Sequence, residues 1–236
     1  MTAPWVTRAR WFAEDYAVAA GMVVSGATSP IDPGIYRSGA LRPCIVIPGV
    51  YETWHFMRPV IEALNDRGHP VFVITDLRHN RRPVLDSAET VAAFVEAQGL
   101  DDVFIAAHSK GGLIGKYAML KLDPGRRLVR MVAIATPFSG SRYAEWAPNR
   151  TLRAFRAGDP VTSMLRAEDV VNDRITSVYG TFDPVIPESS VLPGAQNVEL
   201  PVGGHFRVLR HPDTLATVVR EAGRTRDGSG SPPAGA

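Results

Sequence analysis

Ser109 stands in Ala107-His108-Ser109-Lys110-Gly111-Gly112, a run that begins at the end of an apolar stretch and leads into a helical one. A hydroxyl held on a tight strand-to-helix turn can attack a carbonyl, provided small residues stand two positions before and after it. Ala107 and Gly111 hold those places, with Ala replacing the first Gly of G-x-S-x-G, and Gly112 lets the helix approach the sheet. The turn sets the hydroxyl at a helix N-terminus, where the dipole favours developing negative charge. As a plain βα turn the same Ser would be an N-cap.

A serine hydroxyl is a weak nucleophile until a base takes its proton and a third group fixes that base. Two histidines follow Ser109. His205 lies in Val202-Gly203-Gly204-His205-Phe206, a glycine-rich loop after a strand; His211 precedes Pro212 at the start of the last helix and reads as a cap. His205 is therefore the expected base. Asp183, in Gly180-Thr181-Phe182-Asp183-Pro184, follows a strand and can accept from the imidazole N–H, fixing its tautomer. As an Asp-Pro pair it also reads as a turn starter. Glu188 is the nearest rival, while Asp169 and Asp173 precede the strand.

An oxyanion needs two N–H donors: that of Lys110, after the nucleophile, and one from the loop Pro48-Gly49-Val50-Tyr51. Val50 is the expected second donor, with Tyr51 as the alternative. Tyr51, Trp54 and Phe138 are candidates to line an acyl pocket, and Phe56 and Trp146 suit the same edge; all are equally suited to packing.

These residues need elements to carry them. From Pro43 onward, short apolar runs (Cys44 to Ile47, Pro70 to Thr75, Val103 to Ala107, Leu128 to Ala135, Arg174 to Tyr179, Asn197 to Pro201) alternate with helical stretches. The helices are Phe56 to Arg67, Asp86 to Gln98 with an N-cap at Asp86 or Ser87 and a stop at Gly99, Gly111 to Leu122, and Pro212 to Ala222. Continuous apolar strands separated by helices predict an α/β fold with a mostly parallel sheet covered on both faces.

The pattern divides the chain into an N-terminal helical segment over 1–30, a main domain over 31–222 and a disordered Gly/Ser/Pro/Arg tail over 223–236. Within the domain, 137–172 is irregular and reads either as a lid over the carboxyl ends of the strands or as a surface excursion. In the first segment Glu14 and Asp15 interrupt what would otherwise resemble a signal peptide, so it reads as an amphipathic helix. Its Trp5, Trp11 and Phe12 dock on the domain or touch a membrane surface, with docking preferred.

Of 236 residues 45% are hydrophobic, enough for one substantial core, and the formal charge is only +2. No nucleic-acid partner is expected. Cys44 is the single cysteine, so no internal disulfide forms; no Cys/His spacing suggests a metal, and no cofactor is expected. No stretch reaches the roughly 18 apolar residues of a membrane span, so a cytoplasmic or peripherally membrane-associated location is favoured over a secreted one. The loop Arg78-His79-Asn80-Arg81-Arg82 follows a strand; it can hold an anionic group or face an acidic membrane, or it is simply solvated.

With these segments in view the sequence resembles the α/β-hydrolase superfamily, and within it the lipase and esterase group. Ala107 to Gly112 resembles the elbow of small bacterial lipases, Thr136-Pro137-Phe138-Ser139-Gly140 their T-P-x-x-G segment, and Gly180 to Asp183 and Gly204 to Phe206 their acid and histidine segments. The resemblance covers about Pro43 to Ala222. It implies an ester hydrolase working through an acyl-enzyme; an acyltransferase, a thioesterase or a non-catalytic binding protein on the same scaffold are the alternatives. Two departures stand out. The oxyanion loop has Pro48-Gly49 where His-Gly is usual, and Lys110 replaces an apolar residue or Gln, its charged chain being expected at the pocket mouth.

Overall fold

Strands that are apolar on both faces must be covered on both, and this sheet is. The computed structural model describes residues 4–28, 31–147 and 149–225. Its strands are β1 (Cys44–Ile47), β2 (Val71–Val73), β3 (Val103–His108), β4 (Leu128–Ile134), β5 (Ile175–Phe182) and β6 (Gln196–Gly203). They form one sheet in the order β2-β1-β3-β4-β5-β6, and every neighbouring pair is parallel.

Alternation along the strands sorts the core into two layers. Ile45, Ile47, Ile105 and Ala107 point to one face and pack with α3 (Val84–Ala97) and α4 (Lys110–Tyr117). Cys44, Val46, Phe104 and Ala106 point to the other and pack with α2 (Arg58–Asn65) and α7 (Pro212–Ala222). Cys44 is fully buried and burial pushes its thiol pKa up, as befits a small core residue with no chemistry. Between β4 and β5, α5 (Arg150–Arg153) and α6 (Pro160–Ala167) form, and Phe155, Leu165 and Val171 sink into the first layer.

The structure shifts several expected boundaries. Helix α3 begins at Val84, two residues before the expected cap. Pro83 holds the capping position without a side-chain bond, and Ser87 is instead buried, donating to Asn80 Oδ1 at 3.2 Å. The helix after Ser109 runs as α4 to Tyr117 and then widens into a π turn over Ala118–Leu122. His211 caps α7, as its position implied.

The first 24 described helical residues form α1 (Trp5–Thr28). It lies against β6, the turn Trp54–Met57 and the turn Arg207–Arg210. Of the aromatic residues expected at that contact, Trp11 docks, its ring against Gly203 and 6.3 Å from Phe182. Trp5 and Phe12 face outward. The expected disordered tail begins later than 223: Gly223 closes α7 and Arg224 pairs with Glu221 at 3.1 Å, while residues 226–236 lie outside the described residues.

Candidate active site

In a parallel sheet the loops leaving the strands' carboxyl ends share one edge, and ligand sites form there. Ser109 leaves β3, Asp183 leaves β5, His205 leaves β6, and Val50 leaves β1.

Ser109 has φ 51° and ψ −120° and is 7% exposed. A non-glycine residue in this region is strained by about 1–3 kcal/mol, and the surroundings must impose it. They do: the Ser109 N–H donates to Ile134 O at 2.8 Å, and α4 starts at the next residue. A Cβ at Gly111 would run into the Ile47 carbonyl, so only glycine lets α4 come this close to β1. Gly112 is pressed in the same way against Thr136. As the first residue of α4, Lys110 carries an N–H with no intrahelical acceptor.

His205 and Asp183 form a buried pair, Nδ1 to Oδ2 2.8 Å. The other carboxylate oxygen, Oδ1, accepts from the Val185 and Ile186 N–H groups at 2.7 and 2.9 Å, so the acid is aimed before the imidazole arrives. Burial disfavours the imidazolium, but the Asp183 charge and hydrogen bond outweigh it and hold the His205 pKa above the ordinary histidine value. The carboxyl behaves conversely: burial pushes its pKa up, the His205 charge and the three hydrogen bonds push it down, and the net shift is downward.

Strands stand about 4.8 Å apart, so β6, three places from β3, is about 14 Å away and its histidine must come back over the edge. Two residues with no expected role at the site, Asp15 and His108, make it do so. Asp15 of α1 is completely buried, and its carboxylate accepts from the N–H groups of His205 (2.8 Å), Phe206 (2.7 Å) and Arg207 (2.8 Å). It occupies the space a Cβ on Gly204 would need, and Gly204 has φ 125°. From the other side, His108 donates through Nε2 to the His205 carbonyl at 3.0 Å, its ring centroid 4.8 Å from that of His205. Nothing in the sequence marks Asp15, 190 residues away, beyond an acid inside an apolar segment.

Glu52 is a further residue that the sequence did not mark. It faces His108 Nδ1 at 2.8 Å and accepts the Gly49 N–H at 2.7 Å. The chain Gly49–Glu52–His108–His205 thus ties the loop after β1 to the loop after β6, passing beside Ser109. Asn80 adds a bond from Nδ2 to Pro48 O at 2.7 Å. These bonds brace the loop at Pro48-Gly49.

Lys110 corrects an expectation. Its chain is not at a pocket mouth but buried, with Nζ donating to Asn80 O at 2.9 Å and to Arg82 O. Burial lowers its pKa to about 8. The backbone carbonyls of loop 78–82 need a donor, and the lysine turns inward to serve them. Arg78, His79, Arg81 and Arg82 remain exposed on that loop.

The pocket candidates scatter. Val50 packs on the first core layer and Phe138 is buried within it. Tyr51, at φ 63°, is exposed beneath the Arg81 guanidinium, 5.3 Å from its ring centre. Trp54 stacks on His55, with centroids 3.9 Å apart, and meets Tyr36 edge-on. Phe56 is buried and Trp146 exposed. A cavity of about 1020 Å³ between α2 and α7, bordered by Leu41, His69 and Leu215, opens at the amino ends of the strands, away from Ser109. Ser109, Asp183 and His205 lie at the other edge.

No protein-family model and no curated protein matches the sequence. Solved structures do match by shape. Bacillus licheniformis lipase BlEst2 in its mature form superposes with a TM-score of 0.62 at 17% identity, over 80% of this chain and 92% of that one. Aspergillus fumigatus lipase B gives 0.67 at 20%, over 83% of this chain and 55% of the fungal enzyme. Est1E from Butyrivibrio proteoclasticus gives 0.56 at 17%, over 80% and 88%. The chain has the α/β-hydrolase fold, and two of these three structural neighbours are lipases.

Proposed function

We propose that this protein hydrolyses carboxylic esters through an acyl-enzyme formed on Ser109. The observation that carries the reading is the His205–Asp183 pair, whose backbone is bonded by His108, the residue that precedes a serine with its backbone at φ 51°. In this reading His205 Nε2 takes the Ser109 proton as Oγ attacks the ester carbonyl; Asp183 stabilises the imidazolium, which then protonates the leaving alcohol. Water, deprotonated by the same imidazole, releases the acid. The N–H groups of Val50 and Lys110 receive the oxyanion, and the Glu52 and Asn80 bonds to Gly49 and Pro48 hold the first of these donors' loop in place.

The test is labelling by a fluorophosphonate together with a nitrophenyl ester series of increasing chain length. Wild type takes up label and cleaves esters, and Ser109→Ala does neither. Wild type that takes no label and cleaves no ester overturns the proposal; acyl transfer from acyl-CoA to an alcohol, exceeding hydrolysis, would replace hydrolase with transferase.

A further inference from the structure

Helix α1 is turned inside out. A helix on a protein surface buries its apolar stripe and exposes its charges. The two buried residues of α1 are Asp15 and Met22, and Glu14 turns to Arg207 at 3.1 Å. Trp5 (79% exposed), Val6, Phe12 (47%), Tyr16, Val23 and Val24 face outward, interspersed with exposed alanines. Arg10, an exposed charge on this helix, is paired with Glu14 at 2.6 Å. The ridge extends about 36 Å at 1.5 Å per residue, and nothing among the described residues covers it.

We infer that this face docks on an acidic lipid surface, bringing the Ser109 edge to the membrane. Three observations choose lipid over a protein partner. First, the composition is interfacial: Trp and Tyr carry an apolar body with a polar tip, suited to headgroup depth, and the flanking valines and alanines suit the acyl boundary. Second, the apolar protrusions are two, not one. Tyr143 and Trp146 also stand exposed in the turn Arg142–Trp146, which Ser141 ties to the loop after β5 through Val185 O at 2.7 Å. Both protrusions belong to the edge where strands end, and a lipid plane meets both where one partner helix meets one. Third, the charge is complementary: the exposed Arg78, Arg81 and Arg82 at that edge attract anionic headgroups. No described helix is long and apolar enough to cross a membrane, so α1 lies along the surface.

Docking would present lipid esters to Ser109, and in that respect the inference rests on the hydrolase reading; binding and hydrolysis are measured separately so that each can fail alone. The full chain is sedimented with vesicles of phosphatidylcholine, alone or mixed with phosphatidylglycerol. The wild type is expected to co-sediment with the mixed vesicles, less so at high salt. The double variant Phe12→Asp/Val23→Asp is expected to bind at least about tenfold more weakly while cleaving a soluble short-chain ester at the wild-type rate. Wild type that stays in the supernatant with both vesicles overturns the inference, as does a variant that binds equally well. A wild-type dimer in solution that this variant dissociates also overturns it, since a second copy would then be the cover. If vesicles are bound but no ester is cleaved, the hydrolase reading falls and the docking surface stands.

Discussion

Asp15 offers the sharpest test of how the site is held together. Its carboxylate takes three backbone N–H groups on the histidine loop at 2.7–2.8 Å, with no exposure to solvent. A hydrogen bond to a charged acceptor is worth roughly 1.5–3 kcal/mol net, and a buried donor left without a partner costs about 1–3 kcal/mol. The three share one acceptor and do not add, so Asp15→Ala should destabilise by about 3–5 kcal/mol. For a chain of this size that lowers the melting temperature by roughly 10 °C. Asp15→Asn keeps Oδ1 for Phe206 and Arg207 but sets an NH2 against the His205 N–H, losing one bond and about 1.5–3 kcal/mol. Both variants free the His205 loop. A displacement of about 1 Å at the base lowers turnover on the order of a hundredfold, so kcat for a soluble ester should drop in both with KM little changed. The assay is that kinetic pair, read on protein still folded by circular dichroism. If Asp15→Ala melts as wild type does and retains kcat within about twofold, the range of an ordinary surface substitution, then Asp15 does not position the base and the reasoning fails.

Four further outcomes follow from the geometry. The base works when His205 is neutral, and Asp183 holds its pKa above the ordinary value, so kcat/KM should rise with pH through a midpoint above about 6.5; in Asp183→Asn that midpoint moves down and kcat falls about 10³–10⁴-fold. Ser109→Gly should abolish fluorophosphonate labelling yet raise stability by about 1 kcal/mol in chemical denaturation, because glycine relieves the positive φ. Glu52→Gln leaves His108 and the Gly49 N–H competing for one acceptor oxygen; a kcat loss of about tenfold or more with KM held would reflect a loosened oxyanion loop, and unchanged kcat would refute that role. Lys116 is fully buried, with Nζ lacking a hydrogen bond among the described residues and burial lowering its pKa to about 8. The folded state therefore binds fewer protons than the unfolded one between about pH 8 and 10.5, and stability should rise with pH there. Lys116→Met should flatten that rise and add about 1–3 kcal/mol near pH 7 in the same denaturation assay.

Local chemistry was enough for much of this molecule. The strands, the sheet's parallel character, the elbow at Ser109 and the loops carrying Asp183 and His205 follow from apolar runs and small residues at adjacent positions, because those signals act within one turn or one strand. The same locality set the limits. Asp86 and Ser87 look like caps, but Ser87 was needed by Asn80 and the helix began at Val84. Lys110 looks solvent-facing, but the carbonyls of Asn80 and Arg82 drew it inward. Asp15 and Glu52 carry no signature of these roles, since their value lies in N–H groups and imidazoles supplied by segments up to 192 residues away. Which acid satisfies which buried donor is decided only when the chain closes, because hydrogen bonds need atoms within about 3 Å, and sequence neighbours do not report on that distance. The sequence by itself determined which residues could do the chemistry; the tertiary structure decided what holds them still, and turned the apolar face of α1 outward.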